Sequence, residues 1–203
     1  MKPTASRAFL FLTLFVLALF AILSCRPCEA GAIRDSIDTM SFRSVPEDDP
    51  LLGPRFKQTT AFYSIRPLAG WVPKPSQHDN PHYQYPVCFV DPETGDSLSI
   101  GLIDGGLPDL SIESLSRFRG DYLGKFRKSN LGRIIGSDLY RFDRFTCVQG
   151  LFQRNQLLTL QLLIFYQPGS FLQVAFQVNE HRYHSLARAI EACIASLVWP
   201  DPQ

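Results

Sequence analysis

The sequence predicts an α+β fold, with an antiparallel sheet covered by helices in a layered sandwich. Three observations predict it. Runs with the period of a strand outnumber stretches with helical spacing, and the longest of these runs follow one another with only short turn signals between them. Two stretches with helical spacing, one before those runs and one after, supply faces that can cover the sheet. The apolar fraction of 45% and aromatic content of 12% provide for a packed core.

At 203 residues the chain accommodates a leader and one domain. Residues 1–24 have the pattern of a signal peptide: Lys2 and Arg7, then the apolar run Phe9–Leu23. That run is long for the apolar region of a signal and short for a spanning helix of about 20 residues. Its end admits three outcomes. Ile22-Leu23-Ser24-Cys25 resembles a bacterial lipobox and makes Cys25 the expected lipidation site, although Leu23 is bulky for its position. Ala30-Gly31-Ala32 offers a cleavage site that would release a soluble protein, and an uncleaved leader would leave an anchor. Acylation of Cys25 leaves Cys28, Cys88, Cys147 and Cys193, an even number.

Residues 25–58 are expected to form a proline-rich tether, with Pro46, Pro50 and Pro54 preventing helix propagation. The domain is expected to occupy residues 59–198. "AFYSIRP" alternates Phe62, Ser64 and Arg66 against Tyr63 and Ile65, the period of a first strand. Gly70-Trp71 marks a turn and an apolar plug, and the proline- and histidine-rich stretch 73–86 is expected to be a loop. "VCFVD" and "SLSIGLI" form a hairpin around "PETG".

From Leu110 to Lys128 the spacing turns helical, with Ile112, Leu115, Phe118 or Arg119, Tyr122 and Phe126 on one face. Asp109 or Ser111 is the expected N-cap, and Gly120 and Gly124 either weaken the helix or permit close approach to the sheet. "RIIGSDLYRFDRFTCVQGLF", "QLLTLQLLIFY" and "FLQVAFQV" are expected as three long strands of an antiparallel meander. Asn179 then caps a final helix with the buried stripe Tyr183, Leu186, Ala187, Ile190, Ile194 and Leu197 and with Cys193 alongside. Residues 199–203 are expected to be a C-terminal tail.

This order resembles the PsbP-like fold of the photosystem subunit PsbP and of exported bacterial proteins such as the DcrB-like lipoproteins. The resemblance covers roughly residues 59–198 and lies in "FYSIRPLAGW", "SLSIGLIDGGLPDLSIESL" and "FLQVAFQVNEHRYHSLARAIEACIASL". The stretch 73–86 departs from it. What the resemblance implies is a non-enzymatic accessory, assembly or binding module with no family catalytic residue to carry over.

The residues themselves point the same way. "GDSLS" lacks the second glycine of a nucleophile elbow, and "GLIDGG" lacks the strand–glycine–helix context of a dinucleotide site. Asp48-Asp49 is solvated linker charge. Twenty basic residues against nineteen acidic ones give no support for nucleic-acid binding. Arg117, Arg119, Lys125, Arg127, Lys128 and Arg133 are expected as a solvated helix face.

His181 and His184, three residues apart at a helix start, are weak metal candidates that would need His78 and His82 to complete a site, and no cofactor is expected. Cys88, Cys147 and Cys193 are either buried thiols or partners in a Cys88–Cys147 or Cys147–Cys193 disulfide. Trp71 either seals the sheet or lines a recognition groove. The expected function is an exported, membrane-anchored binding or assembly-accessory module of the bacterial envelope with a protein partner. The alternative is a carrier or sensor of a small apolar ligand between helix and sheet, which the very apolar "QLLTLQLLIFY" suggests.

Overall fold

Four strand-period runs of the second half make one continuous antiparallel meander, and everything else packs around it. The computed structural model describes residues 38–39, 45–75, 83–129, 132–141 and 145–200. Cys25, Cys28, the Ala30-Gly31-Ala32 site, His78 and His82 lie outside the described residues. In chain order the elements are β1 (Asp38–Thr39), β2 (Phe56–Gln58), β3 (Tyr63–Ile65), β4 (Val72–Lys74), β5 (Tyr83–Val90), β6 (Ser97–Asp104) and α1 (Ile112–Lys128). There follow β7 (Arg133–Arg141), β8 (Thr146–Arg154), β9 (Leu157–Phe165), β10 (Ser170–Asn179) and α2 (Glu180–Ala195).

The sheet order is β1-β7-β8-β9-β10-β6-β5-β4. All neighbours from β7 to β4 pair antiparallel, and β1 adds a short parallel edge beside Tyr140 and Arg141 of β7. Alternation along the strands sends side chains to opposite faces. On β9, Leu158, Leu160, Leu162 and Ile164 join the cluster under α2, while Leu163 and Phe165 join the cluster under α1. The helices therefore cover opposite faces of an α+β sandwich.

Both helices start where their sequence signals place them. The Ser111 side chain accepts from the Ser114 backbone N–H at 3.3 Å, and Asn179 Oδ1 accepts from the His181 backbone N–H at 3.0 Å. Lys125, Arg127 and Lys128 in the last turn of α1 complement its dipole.

Several expectations are corrected. The 20-residue "RIIGSDLYRFDRFTCVQGLF" is two strands, β7 and β8, so the meander has four strands. A single strand of that length would run about 66 Å, far beyond the usual 3–10 residues. "AFYSIRP" gives β3, which pairs with β2 in a separate ribbon. Its far edge bonds to Val198, so Tyr63, Ser64, Ile65 and Arg66 are all buried and no alternation survives. The expected loop 73–86 contributes strand at both ends. Pro73 sits on the edge strand β4, and Pro86 sits at an irregularity of β5, where the register shifts between Gln84 and Val87.

The tether expected over residues 25–58 does not extend through residues 45–58. Leu52 is in the core, Phe56 packs edge-on to Phe89, and the Arg66 guanidinium donates to the carbonyls of Pro46, Asp49, Leu52 and Gly53. At the other terminus Trp199, expected in a tail, is buried in the same core. Gly120 and Gly124 permit no close approach, since a Cβ at either would meet nothing within 4 Å. Arg119, assigned to a solvated face, is only 2% exposed, whereas Arg117, Lys125, Arg127 and Lys128 of the same helix are exposed.

Candidate functional site

The chemistry of the domain gathers where α2 meets the sheet. α2 packs on β10 and β9, and a right-handed sheet twist turns farther strands away from a helix so placed. A cleft of about 220 Å³ lies between α2 and strands β7–β9. Its floor is Leu160, Leu162 and Ile164 of β9 with Cys147 of β8, all buried. Its helical wall is Tyr183, Ala187, Ile190, Glu191 and Ile194, the repeat that one face of a helix presents. Tyr140, Phe145 and Gln149 complete it. The rim is open, because Ala187 and Glu191 are exposed.

This cleft is larger than an ordinary packing defect. Interiors hold few voids bigger than a water molecule, and a closed, empty apolar cavity of 220 Å³ would cost about 5 kcal/mol. The open rim makes that an upper bound. Few polar groups face the space. The Tyr140 hydroxyl donates to Asp138 Oδ2 at 3.4 Å. Among the described residues, no other side chain engages the Gln149 amide or the Glu191 carboxylate. Burial pushes the Tyr183 phenol up from its usual value. It also pushes the Cys147 thiol up strongly, away from the thiolate that nucleophilic chemistry needs.

A second polar cluster fixes the start of α2. Arg182 Nη1 donates to Asp96 Oδ2 at 2.7 Å and to Asp91 Oδ2 at 3.0 Å, and also to the Thr94 hydroxyl. The other Asp96 oxygen, Oδ1, accepts from the Asn179 backbone N–H at 2.9 Å. The Glu93 backbone N–H, then Thr94 and Arg182, hold the Asp91 carboxyl below the usual carboxylate range. These carboxylates ligate the turn between β5 and β6 to the helix start.

The residues singled out by sequence are dispersed. Trp71 is buried in the core under α2 and is not among the described residues that line the cleft. His181 and His184 are both exposed, and among the described residues no three metal-ligating side chains gather. Cys88, Cys147 and Cys193 are free thiols. Three strands separate Cys88 on β5 from Cys147 on β8, a span of about 19 Å against the roughly 7 Å limit for bridged Cα atoms. Tyr140, Gln149 and Glu191 were not singled out. The apolar floor is legible in "QLLTLQLLIFY" and most of the wall in the apolar stripe Tyr183, Ala187, Ile190 and Ile194, but nothing local marks Glu191 as bordering the cleft.

No family model matches the chain, and no curated protein does. Among solved structures, it is similar to the solution structure of cyanobacterial PsbP (CyanoP) from Synechocystis sp. PCC 6803, with a TM-score of 0.55 at 14% identity over 74% of this chain and 93% of that one. The fold is PsbP-like. A crystal structure from Bacteroides thetaiotaomicron VPI-5482 aligns at a TM-score of 0.41 and 17% identity, over 72% of this chain and 48% of that one. Within the PsbP-like framework, the cleft lies between the C-terminal helix and the β7–β8 side of the sheet.

Proposed function

We propose that this chain is an exported, non-enzymatic binding or assembly-accessory module, held at the bacterial envelope membrane through an acylated Cys25. The observation that carries the non-enzymatic reading is the burial of its thiols and phenols: Cys147, Cys193 and Tyr63 are all enclosed in the core. Burial pushes the pKa values of Cys147, Cys193, Tyr63 and Tyr122 upward from the ordinary thiol and phenol values. Burial of this kind suits packing and works against nucleophilic or acid–base chemistry at neutral pH. The PsbP-like fold supports an accessory role, and the leader with its Ser24-Cys25 end supports the address.

The test is palmitate labelling with and without globomycin, combined with crosslinking in the native host. Label that is lost in Cys25→Ala, together with a stoichiometric crosslinked protein, is the expected result. An unlabelled protein beginning at Ile33 would overturn the anchor.

The cleft favours a second reading, a carrier or sensor of a small apolar ligand. Native mass spectrometry of the chain from host membranes tests it. A reproducible small-molecule adduct supports the carrier, and a bare chain that co-purifies only with protein opposes it.

A further inference from the structure

We propose that the cleft between α2 and strands β7–β9 binds one small apolar amine, its body lying on Leu160, Leu162 and Ile164 and its head at the rim beside Glu191. The inference rests on the carrier reading and adds the ligand's chemical class, which three features of the cleft define.

Size comes first. At about 220 Å³ the space is half as large again as the roughly 150 Å³ apolar cavity that accepts benzene. It therefore takes an apolar body of roughly eight to ten heavy atoms, well below the drug-sized range.

Polarity comes second. The floor and most of the helical wall offer only carbon, apart from the Cys147 sulfur, so the deep end selects an unbranched or compact apolar group. Polar atoms sit on Gln149, Tyr140 and Tyr183 and, at the exposed rim, on Glu191.

Charge comes third. Among the described residues that line the cleft none is Lys, Arg or His, and the one ionised side chain is Glu191. A carboxylate or phosphate head would meet that carboxylate with no cation among the described lining residues to offset it, whereas an ammonium head would find an acceptor there. The cleft thus discriminates against the fatty acid of the same length.

The experiment titrates the full chain with octylamine and with octanoate at neutral pH, followed calorimetrically and by thermal shift. Octylamine is expected to bind about ten-fold more tightly than octanoate. Glu191→Gln is expected to remove most of that preference and Glu191→Lys to reverse it. Ala187→Trp, at the exposed rim, is expected to abolish binding of either compound without lowering the melting temperature.

Both variant positions are exposed, so loss of fold does not confound them, and the melting curve verifies this. Octanoate binding equal to or tighter than octylamine, yet blocked by Ala187→Trp, would overturn the amine assignment while leaving the carrier reading intact. No binding of either compound, or binding indifferent to Ala187→Trp, would overturn both. Neither result touches the Cys25 labelling test.

Discussion

Arg66 shows how one side chain can decide where the fold begins. Its guanidinium is buried, yet it donates to backbone carbonyls: Pro46 at 2.7 Å, Gly53 at 3.1 Å, Asp49 at 3.3 Å and Leu52 at 3.4 Å. Its own N–H donates to the Ser196 hydroxyl at 2.8 Å, tying the same residue to the end of α2. A buried cation is tolerable when such dipoles surround it, and removing it orphans several carbonyls together. Arg66→Met is therefore expected to cost about 2–4 kcal/mol in urea unfolding. It should also open residues 46–53 to limited proteolysis; a resistant segment with unchanged stability would refute this account. None of this was legible locally, because "IRP" offers no hint that Arg66 reaches back as far as Pro46.

At the scale of elements, glycines separate helix from sheet. Gly120 and Gly124 face open space on α1, so replacing each by Ala should raise stability by about 0.8–1 kcal/mol. For a domain of this size that corresponds to a rise of about 2–4 °C in Tm per substitution. Gly101 on β6 behaves oppositely. The Tyr83 ring lies across it, and an added Cβ would come within 2.4 Å of ring carbons. Gly101→Ala is expected to lower stability by about 1–3 kcal/mol, read by the same melting curves. Sequence spacing found α1, its Ser111 cap and the β5–β6 hairpin because those signals are local. It missed the β7–β8 break, because no glycine or proline stands between Ser137 and Gln149 to mark it, and the ribbon of β2 and β3, because so short a pairing is stabilised by a distant partner, here Val198.

At the scale of the molecule, the two terminal segments close one core from the same side. Ser64 and Val198 exchange backbone hydrogen bonds at 2.9 Å, and Arg55 donates to the Ser196 carbonyl at 3.0 Å. Trp199 is 7% exposed within that core, so Trp199→Ala should cost about 3–5 kcal/mol in chemical denaturation.

The core also sets the response to alkali. Burial raises the Cys147 and Cys193 thiols above their ordinary value of 9.0. The unfolded chain ionises first, so their contribution is whole below about pH 9 and is lost as pH rises above it. The slope reaches about 1.4 kcal/mol per pH unit for each thiol. Urea midpoints between pH 8 and 11 should fall, and a Cys147→Ala, Cys193→Ala variant should show a shallower fall; parallel curves would contradict this.

The sequence by itself determined the fold class, the helices with their caps, the β5–β6 hairpin and the apolar floor strand, because periodicity, turn chemistry and capping act between near neighbours. Tertiary structure decided the rest. It placed the helices on opposite faces, drew residues 45–58 and Trp199 into the core, buried Arg119 and separated Cys88 from Cys147. It also opened a cleft at Glu191, since a twisting sheet diverges from a straight helix and only the assembled layers show where the gap falls.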